Sequence, residues 1–156
     1  MSVDSVKAYF KNYGREEDIK ELTTSTATVD LAAEAVGVIP ARIAKTLSFK
    51  REDQCILVVT AGDTKIDNKK FKDEFSVKAK MLNMDEVVYF TGHAIGGVCP
   101  FAIENEAVSV FIDESLKRFE TVFPAAGSSN SMIELTCEEL FDFSKALRWV
   151  DVCKLV

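Results

Sequence analysis

The apolar positions of the chain change period several times, and each change marks an element. Val3, Val6, Phe10 and Tyr13 recur at helical spacing and stop at Gly14, which predicts a first helix. Leu31, Ala32, Ala35 and Val36 form a second helical stripe, with Thr28 placed to cap it and Gly37 to end it. Pro40 suits the first turn of a short helix through Ile43. The helical period is then lost. Residues 47–49 and 55–60 are apolar, partly β-branched runs separated by the polar stretch 50–54, and they predict a hairpin. Asp67 can cap a short basic helix through Phe75, and Asn83-Met84-Asp85-Glu86 has capping-box spacing for a helix closed by Gly92. Beyond it, residues 108–112 predict a strand, Asp113, Glu114 and Ser115 a turn, and 121–123 and 132–135 two more strands. Thr136-Cys137-Glu138-Glu139 is a second capping box, for a helix through Ala146 or Leu147. Short strands interleaved with short helices imply a mixed α/β fold rather than a regular doubly wound sheet.

The 156 residues show no linker, repeat or break in composition, so a single domain over 1–156 is expected. A chain of this size buries about 70% of its unfolded surface and needs no metal or disulfide to hold it. No apolar run approaches the roughly 20 residues of a membrane span. The start lacks a basic region followed by an apolar stretch, so a cytoplasmic protein is expected. Cys55, Cys99, Cys137 and Cys153 are widely spaced and form no C-x-x-C pair, which suits reduced thiols. His93 is the only histidine, so neither a zinc site nor a bound cofactor is expected, and a nucleophile triad would have one possible base.

Charge changes the picture once it is divided along the chain. A net charge of -6 argues against a general nucleic-acid coat and against a DNA partner. Residues 42–80 nevertheless hold ten Lys and Arg against six Asp and Glu. Either this is a solvated lysine-rich face or it is a phosphate-facing side, with Lys69, Lys70 and Lys72 as its cations.

Two segments carry candidate chemistry. Lys45 sits among Ile43, Ala44 and Leu47, where the short helix gives way to a strand. A lysine there either snorkels to water or stands as a fixed ammonium at a pocket edge, opposite phosphate or a developing oxyanion. The stretch from Gly92 to Pro100 holds three glycines and a proline in nine residues and cannot be a helix or a central strand. Such a loop either turns with Ile95, Val98 and Phe101 tucked into the core or brings bare backbone N–H groups against a ligand. It contains no G-x-G-x-x-G dinucleotide fingerprint.

Arg42-Ile43-Ala44-Lys45-Thr46-Leu47, Thr91-Gly92-His93-Ala94-Ile95-Gly96-Gly97-Val98-Cys99-Pro100-Phe101 and Phe123-Pro124-Ala125-Ala126-Gly127-Ser128 occur in an order and spacing that resemble the YbaK/EbsC family. These proteins are relatives of the editing domain inserted in bacterial prolyl-tRNA synthetases, and the resemblance covers about residues 24–152. It implies a compact mixed β-barrel-like sheet with flanking short helices. It also implies free-standing hydrolysis of mischarged aminoacyl-tRNA, with the tRNA acceptor end and an aminoacyl-tRNA synthetase as partners. By resemblance Lys45, followed by Thr46, is the catalytic lysine facing the terminal adenosine. Gly96, Gly97, Val98, Cys99 and Pro100 are the loop lining the aminoacyl pocket, and Gly127 and Ser128 a turn on the opposite wall. The resemblance further implies that the ribose hydroxyl of the terminal adenosine assists the water, which leaves His93 as a pocket residue rather than a base. Four positions depart from the family pattern: Met132 stands where some relatives carry an aspartate, Ser128 and Ser129 where some carry a basic pair, and Ala102 where a glycine often follows Pro-Phe.

The residue types around these motifs suggest a small substrate. Val98 and Pro100 can bound a pocket above Gly97, while Ser128, Ser129 and Asn130 can bond a small polar side chain. An alanine- to threonine-sized aminoacyl group is therefore expected, with Gly97 as the size filter. A non-catalytic module that binds an amino acid, nucleotide or partner protein through the same pocket is the alternative. A phosphate-dependent enzyme is a weaker third, because no phosphate loop appears.

Overall fold

The fold, from a computed structural model that describes residues 2–156, runs in chain order as follows. It opens with α1 (Ser2–Lys11), β1 (Ile19–Glu21) and α2 (Val29–Val36), then β2 (Ile43–Arg51), β3 (Gln54–Ala61) and β4 (Thr64–Ile66). Next come α3 (Asn68–Phe75), α4 (Met84–Thr91), β5 (Val108–Asp113), β6 (Thr121–Pro124), β7 (Ser131–Ile133) and β8 (Leu135–Thr136). The chain ends with α5 (Cys137–Phe143), β9 (Arg148–Val150) and β10 (Cys153–Leu155). Six strands make one curled half-barrel sheet in the order β8-β6-β2-β3-β5-β9. Two-stranded ladders, β1 with β7 and β4 with β10, flank it. This is the mixed α/β sheet with short flanking helices that was expected.

The β2–β3 hairpin is the spine of that sheet and is longer than the apolar runs suggest. Its register runs from Ala44↔Ala61 to Arg51↔Gln54, closing on Glu52 and Asp53, with Glu52 in the left-handed region at φ 53°. β3 is apolar from Cys55 to Val59 because that stretch is covered on both faces. Cys55, Leu57, Val59 and Ala61 enter a core shared with Val6 and Phe10 of α1, Val87 of α4 and Leu140 of α5. Ile56 and Val58 turn to the other side, toward Phe49, Phe71, Phe75 and Phe111. Those four rings form a chain with centroids 4.7–4.9 Å apart, within the range of favourable aromatic pairs.

The helix caps follow the sequence. The hydroxyl of Thr28 accepts from the Leu31 amide, Asp67 accepts from Lys69 and Lys70, and both capping boxes are closed. Several elements differ from expectation. Pro40–Arg42 is a single 3-10 turn and Ile43 already belongs to β2, because the strand pairs with β6 from Ile43↔Phe123 onward. The expected turn at 113–115 extends into a 3-10 helix, Glu114–Arg118, capped by Asp113. α5 stops at Phe143, since Lys145 adopts φ 56° and Leu147 donates to the Val110 carbonyl, which turns the chain into β9.

Candidate active site

The partners of β2 leave one stretch of its edge uncovered. On that side β2 pairs with β6 only through Ala44↔Pro124, and the run at residues 80–82 takes over from Ser48 onward. There the Leu82 amide donates to the Ser48 carbonyl and the Lys50 amide to the Lys80 carbonyl. Amide and carbonyl directions alternate along a strand. Thr46 therefore turns its backbone groups to the same edge as Ser48, at the gap between the two partners.

A cavity of about 230 Å³ occupies that gap. Thr46 and Ser48 of β2, Ala32 of α2, Val87 of α4, Gly96 and Val98 are among the residues that line it. The lining residues include no Asp, Glu, His or Cys; Lys45 is their one titratable member, and its side chain leaves on the other face of β2. Thr26, also on the wall, is buried, and its hydroxyl has no hydrogen-bond partner among the described residues.

Lys45 stands opposite Thr60 in the hairpin, on the sheet face away from Ala44, Thr46 and Ser48. Its ammonium donates to the Thr64 carbonyl, in the turn between β3 and β4. Burial lowers its pKa, and nearby Cys153 and Asp63 act against that lowering. An ammonium carries three donors, so one contact leaves two for an incoming anion.

Gly96 and Gly97 serve different ends. Gly96 lines the cavity with φ +97°, a left-handed conformation suited to glycine. Gly97 instead packs backbone to backbone on the turn at 127–128: a Cβ there would lie 2.7 Å from the Ser128 amide nitrogen. The pocket loop and the glycine-bearing turn are thus brought together, with the turn behind the loop. The Ser128 hydroxyl lies 2.6 Å from that of Ser131 and donates to Asn130 at 2.9 Å. Asn130 in turn donates to the Leu22 carbonyl, and the Ser129 carbonyl accepts from the Thr26 amide at 2.6 Å. The turn's polar groups brace the cavity wall formed by residues 26–29 and do not line the cavity.

The family model for the aminoacyl-tRNA editing domain matches residues 23–143. The chain belongs to this family. The uncharacterized protein YwhH of Bacillus subtilis (strain 168) is 56% identical over 155 residues, covering 99% of this chain and 98% of that one. The proline--tRNA ligase of Lactobacillus gasseri is 32% identical over 119 residues, which cover 73% of this chain and 21% of the ligase. A crystal structure presented as a candidate trans-editing enzyme for prolyl tRNA synthetase superposes with a TM-score of 0.88 at 28% identity, over 98% of this chain and 97% of that one.

Within this editing domain, the expected site residues do not all meet in one place. Lys45, Thr46, Gly96 and Val98 border the cavity. His93 and Pro100 line a separate surface groove with Tyr9, Phe90 and Phe143. His93 is 1% exposed; its Nε2 lies 2.8 Å from the Phe101 carbonyl, so that nitrogen carries the hydrogen, and the Cys99 sulfur lies 3.5 Å away. Burial lowers the pKa of His93 and pushes the Cys99 thiol up to about 12, so both are neutral near pH 7. Together they fasten the far end of the glycine loop.

Part of the expected basic face is engaged by carboxylates, most of them from outside residues 42–80. Lys69 bonds Asp73 at 2.9 Å and Lys70 bonds Asp151 at 3.1 Å, while Lys50 meets Glu86 at 3.2 Å. Sequence reasoning missed Thr26, Ser48, Leu82 and Met132 as cavity residues. A strand start at Ile43 would have aligned Ala44, Thr46 and Ser48 on one face; nothing local marks the other three.

Proposed function

We propose that this editing domain is a free-standing aminoacyl-tRNA deacylase, which hydrolyses the ester of mischarged tRNA in trans in the cytoplasm. The observation that carries the proposal is the cavity at the bare stretch of β2, lined by one ammonium-bearing residue and no acid–base side chain. That lining suits a substrate that needs little chemical help. An aminoacyl ester is already activated, so holding it beside a water and supporting the developing charge supplies most of the assistance. With no protein base on the wall, the family's substrate-assisted route, in which the ribose hydroxyl orients the water, fits this lining.

In this proposal the acyl side chain enters the space between Ala32, Val87 and Val98. The open edge at Thr46 offers backbone groups to the polar end of the amino acid, and Lys45 exchanges its contact at Thr64 for the acceptor end of the tRNA. The proposed occupant of the cavity is a small aminoacyl group, bounded by Ala32, Val87 and Val98. The test is hydrolysis of a panel of tRNAs charged with alanine, serine, threonine, proline, phenylalanine and lysine. Turnover of the small members supports the proposal. Binding of aminoacyl-tRNA without any turnover would make the chain a non-catalytic module instead.

A further inference from the structure

The Lys45 ammonium is held by the carbonyl of Thr64, at the end of one short turn, and that turn is fastened from several sides. Thr64, whose carbonyl receives the ammonium, is buried; its hydroxyl donates to the Ala61 carbonyl at 2.7 Å and lies 2.6 Å from the Thr60 hydroxyl. The Ser115 hydroxyl accepts from the Ala61 amide and lies 3.2 Å from that of Thr60. The Val156 amide donates to the Asp63 carbonyl, and β10 pairs with β4 at Leu155↔Thr64. At Gly62 a Cβ would lie 2.1 Å from the Pro40 carbonyl oxygen, so the turn is seated directly on the 3-10 segment before β2. One ion pair closes the assembly. Arg118 grips both carboxylate oxygens of Asp63 at 2.6 and 3.0 Å, while its Nε donates to the Ser115 carbonyl at 2.7 Å.

We infer that Asp63 and Arg118 are positioning residues for Lys45: their pair locks the turn that holds the ammonium, and the balance of its two charges governs how the ammonium is held. The inference rests on the proposed role of Lys45 only where it touches hydrolysis. The groups facing Lys45 are few. Asp63 comes from the turn, with Arg118 behind it, and the Cys153 thiol comes from β10, raised to about 11 mainly by burial and therefore neutral near pH 7. Asp113 lies near Cys153 and Arg118, with its two oxygens occupied by the Ser115 and Val152 amides. Lys45 thus stands in a partly desolvated site where one carboxylate favours its charge and one guanidinium neutralises that carboxylate.

The two halves of the pair should act on Lys45 in opposite directions, which a purely structural pair would not do. The experiment is a pH titration of side-chain-labelled lysine in the full chain by NMR, with the Lys45 signal identified by its loss in Lys45→Arg. Asp63→Asn removes the carboxylate and leaves the guanidinium, so the Lys45 midpoint should move to lower pH. Arg118→Gln leaves the carboxylate unneutralised, so the midpoint should move to higher pH. The double variant should return toward the wild-type titration, and Arg118→Lys, which keeps the charge if Arg118→Gln does not fold, should retain it. Both single variants moving upward, toward a free lysine, would show that the pair merely maintains the fold and would overturn the inference, as would no movement in either. The pH–rate profile for charged tRNA separates this from the hydrolase proposal. A profile that stays in place while the NMR midpoints move in opposite directions would sustain the positioning role and remove Lys45 from the reaction.

Discussion

Gly97 and Ser128 touch through their backbones: a Cβ on Gly97 would lie 2.7 Å from both the Cα and the amide nitrogen of Ser128. This contact welds the glycine loop to the turn at 127–128 and changes what Gly97 is expected to do. A side chain there would push against main chain rather than fill the acyl cavity. Overpacking of this kind costs about 1–3 kcal/mol, and a chain of this size loses roughly 2–4 °C in Tm per kcal/mol. Gly97→Ala should therefore lower the melting temperature and depress hydrolysis of all substrates alike. Selective loss of the larger substrates at an unchanged Tm would restore Gly97 as a size filter.

Lys45→Ala should abolish most deacylation without unfolding the protein. Loss of a charge-assisted hydrogen bond costs about 1.5–3 kcal/mol, or roughly one to two decades in rate. The stem is only partly buried near the start of β2, beside a hydroxyl cluster that remains bonded within itself, so Tm should change little. Wild-type turnover by a folded Lys45→Ala protein would remove Lys45 from the reaction.

The elements that could be read along the chain were those whose cause is local. Capping at Thr28, Asp67, Asn83 and Thr136 depends on side chains within three residues, and the two-sided burial of 55–60 shows as an unbroken apolar run. What escaped depends on distant partners. β1, β4 and β10 are three-residue strands with little pattern of their own, set by pairing with β7 and with each other. The 132–135 run divides at Glu134 because Ile133 pairs toward β1 while Leu135 pairs toward β6. The site divides in the same manner. Lys45, Thr46, Gly96 and Val98 could be placed through motifs, whereas Thr26 and Met132 reach the cavity only through tertiary packing. Ser128 and Asn130 looked available for a substrate because a sequence does not show that a turn has already used its own polar groups.

Acid should weaken the fold through His93. Its folded pKa lies below the ordinary histidine value because burial disfavours the imidazolium, so the unfolded chain binds the proton more readily. The contribution to stability is complete above the unfolded value of about 6.5 and is lost as pH falls below it toward the depressed folded value. His93→Gln keeps an N–H for the Phe101 carbonyl and does not titrate. The wild type should lose more stability than this variant in denaturant titrations between neutral pH and about pH 5. Parallel pH curves for the two proteins would mean that His93 is protonated as easily in the fold as outside it.

Salt dependence should not come from Lys69 and Lys70. Each is already paired with a carboxylate, Asp73 and Asp151, which competes with phosphate for the ammonium. Replacing both with alanine should leave the slope of log KM against log salt unchanged for charged tRNA. A slope smaller by about 0.7 per residue, the value for a lost contact to single-stranded RNA, would show that these pairs open to meet the acceptor strand.

Size selection should reside at Val98 rather than at Gly97. Val98 lines the cavity and is half-buried, so a larger side chain there is expected to take up cavity space. Val98→Phe should reduce the volume available to the acyl group, with the loss in kcat/KM increasing from alanyl- to threonyl-tRNA. An apolar pocket separates neighbours in size by only about 1–3 kcal/mol for each methylene, so the expected discrimination is graded rather than absolute. Ala32→Val, on α2, should act in the same sense and more weakly because it adds less volume. The two variants share one space, so their effects should fall short of additive when combined. Equal loss on every substrate in both variants, at unchanged Tm, would place the acyl side chain outside this cavity and leave the hydrolysis to be explained from another surface.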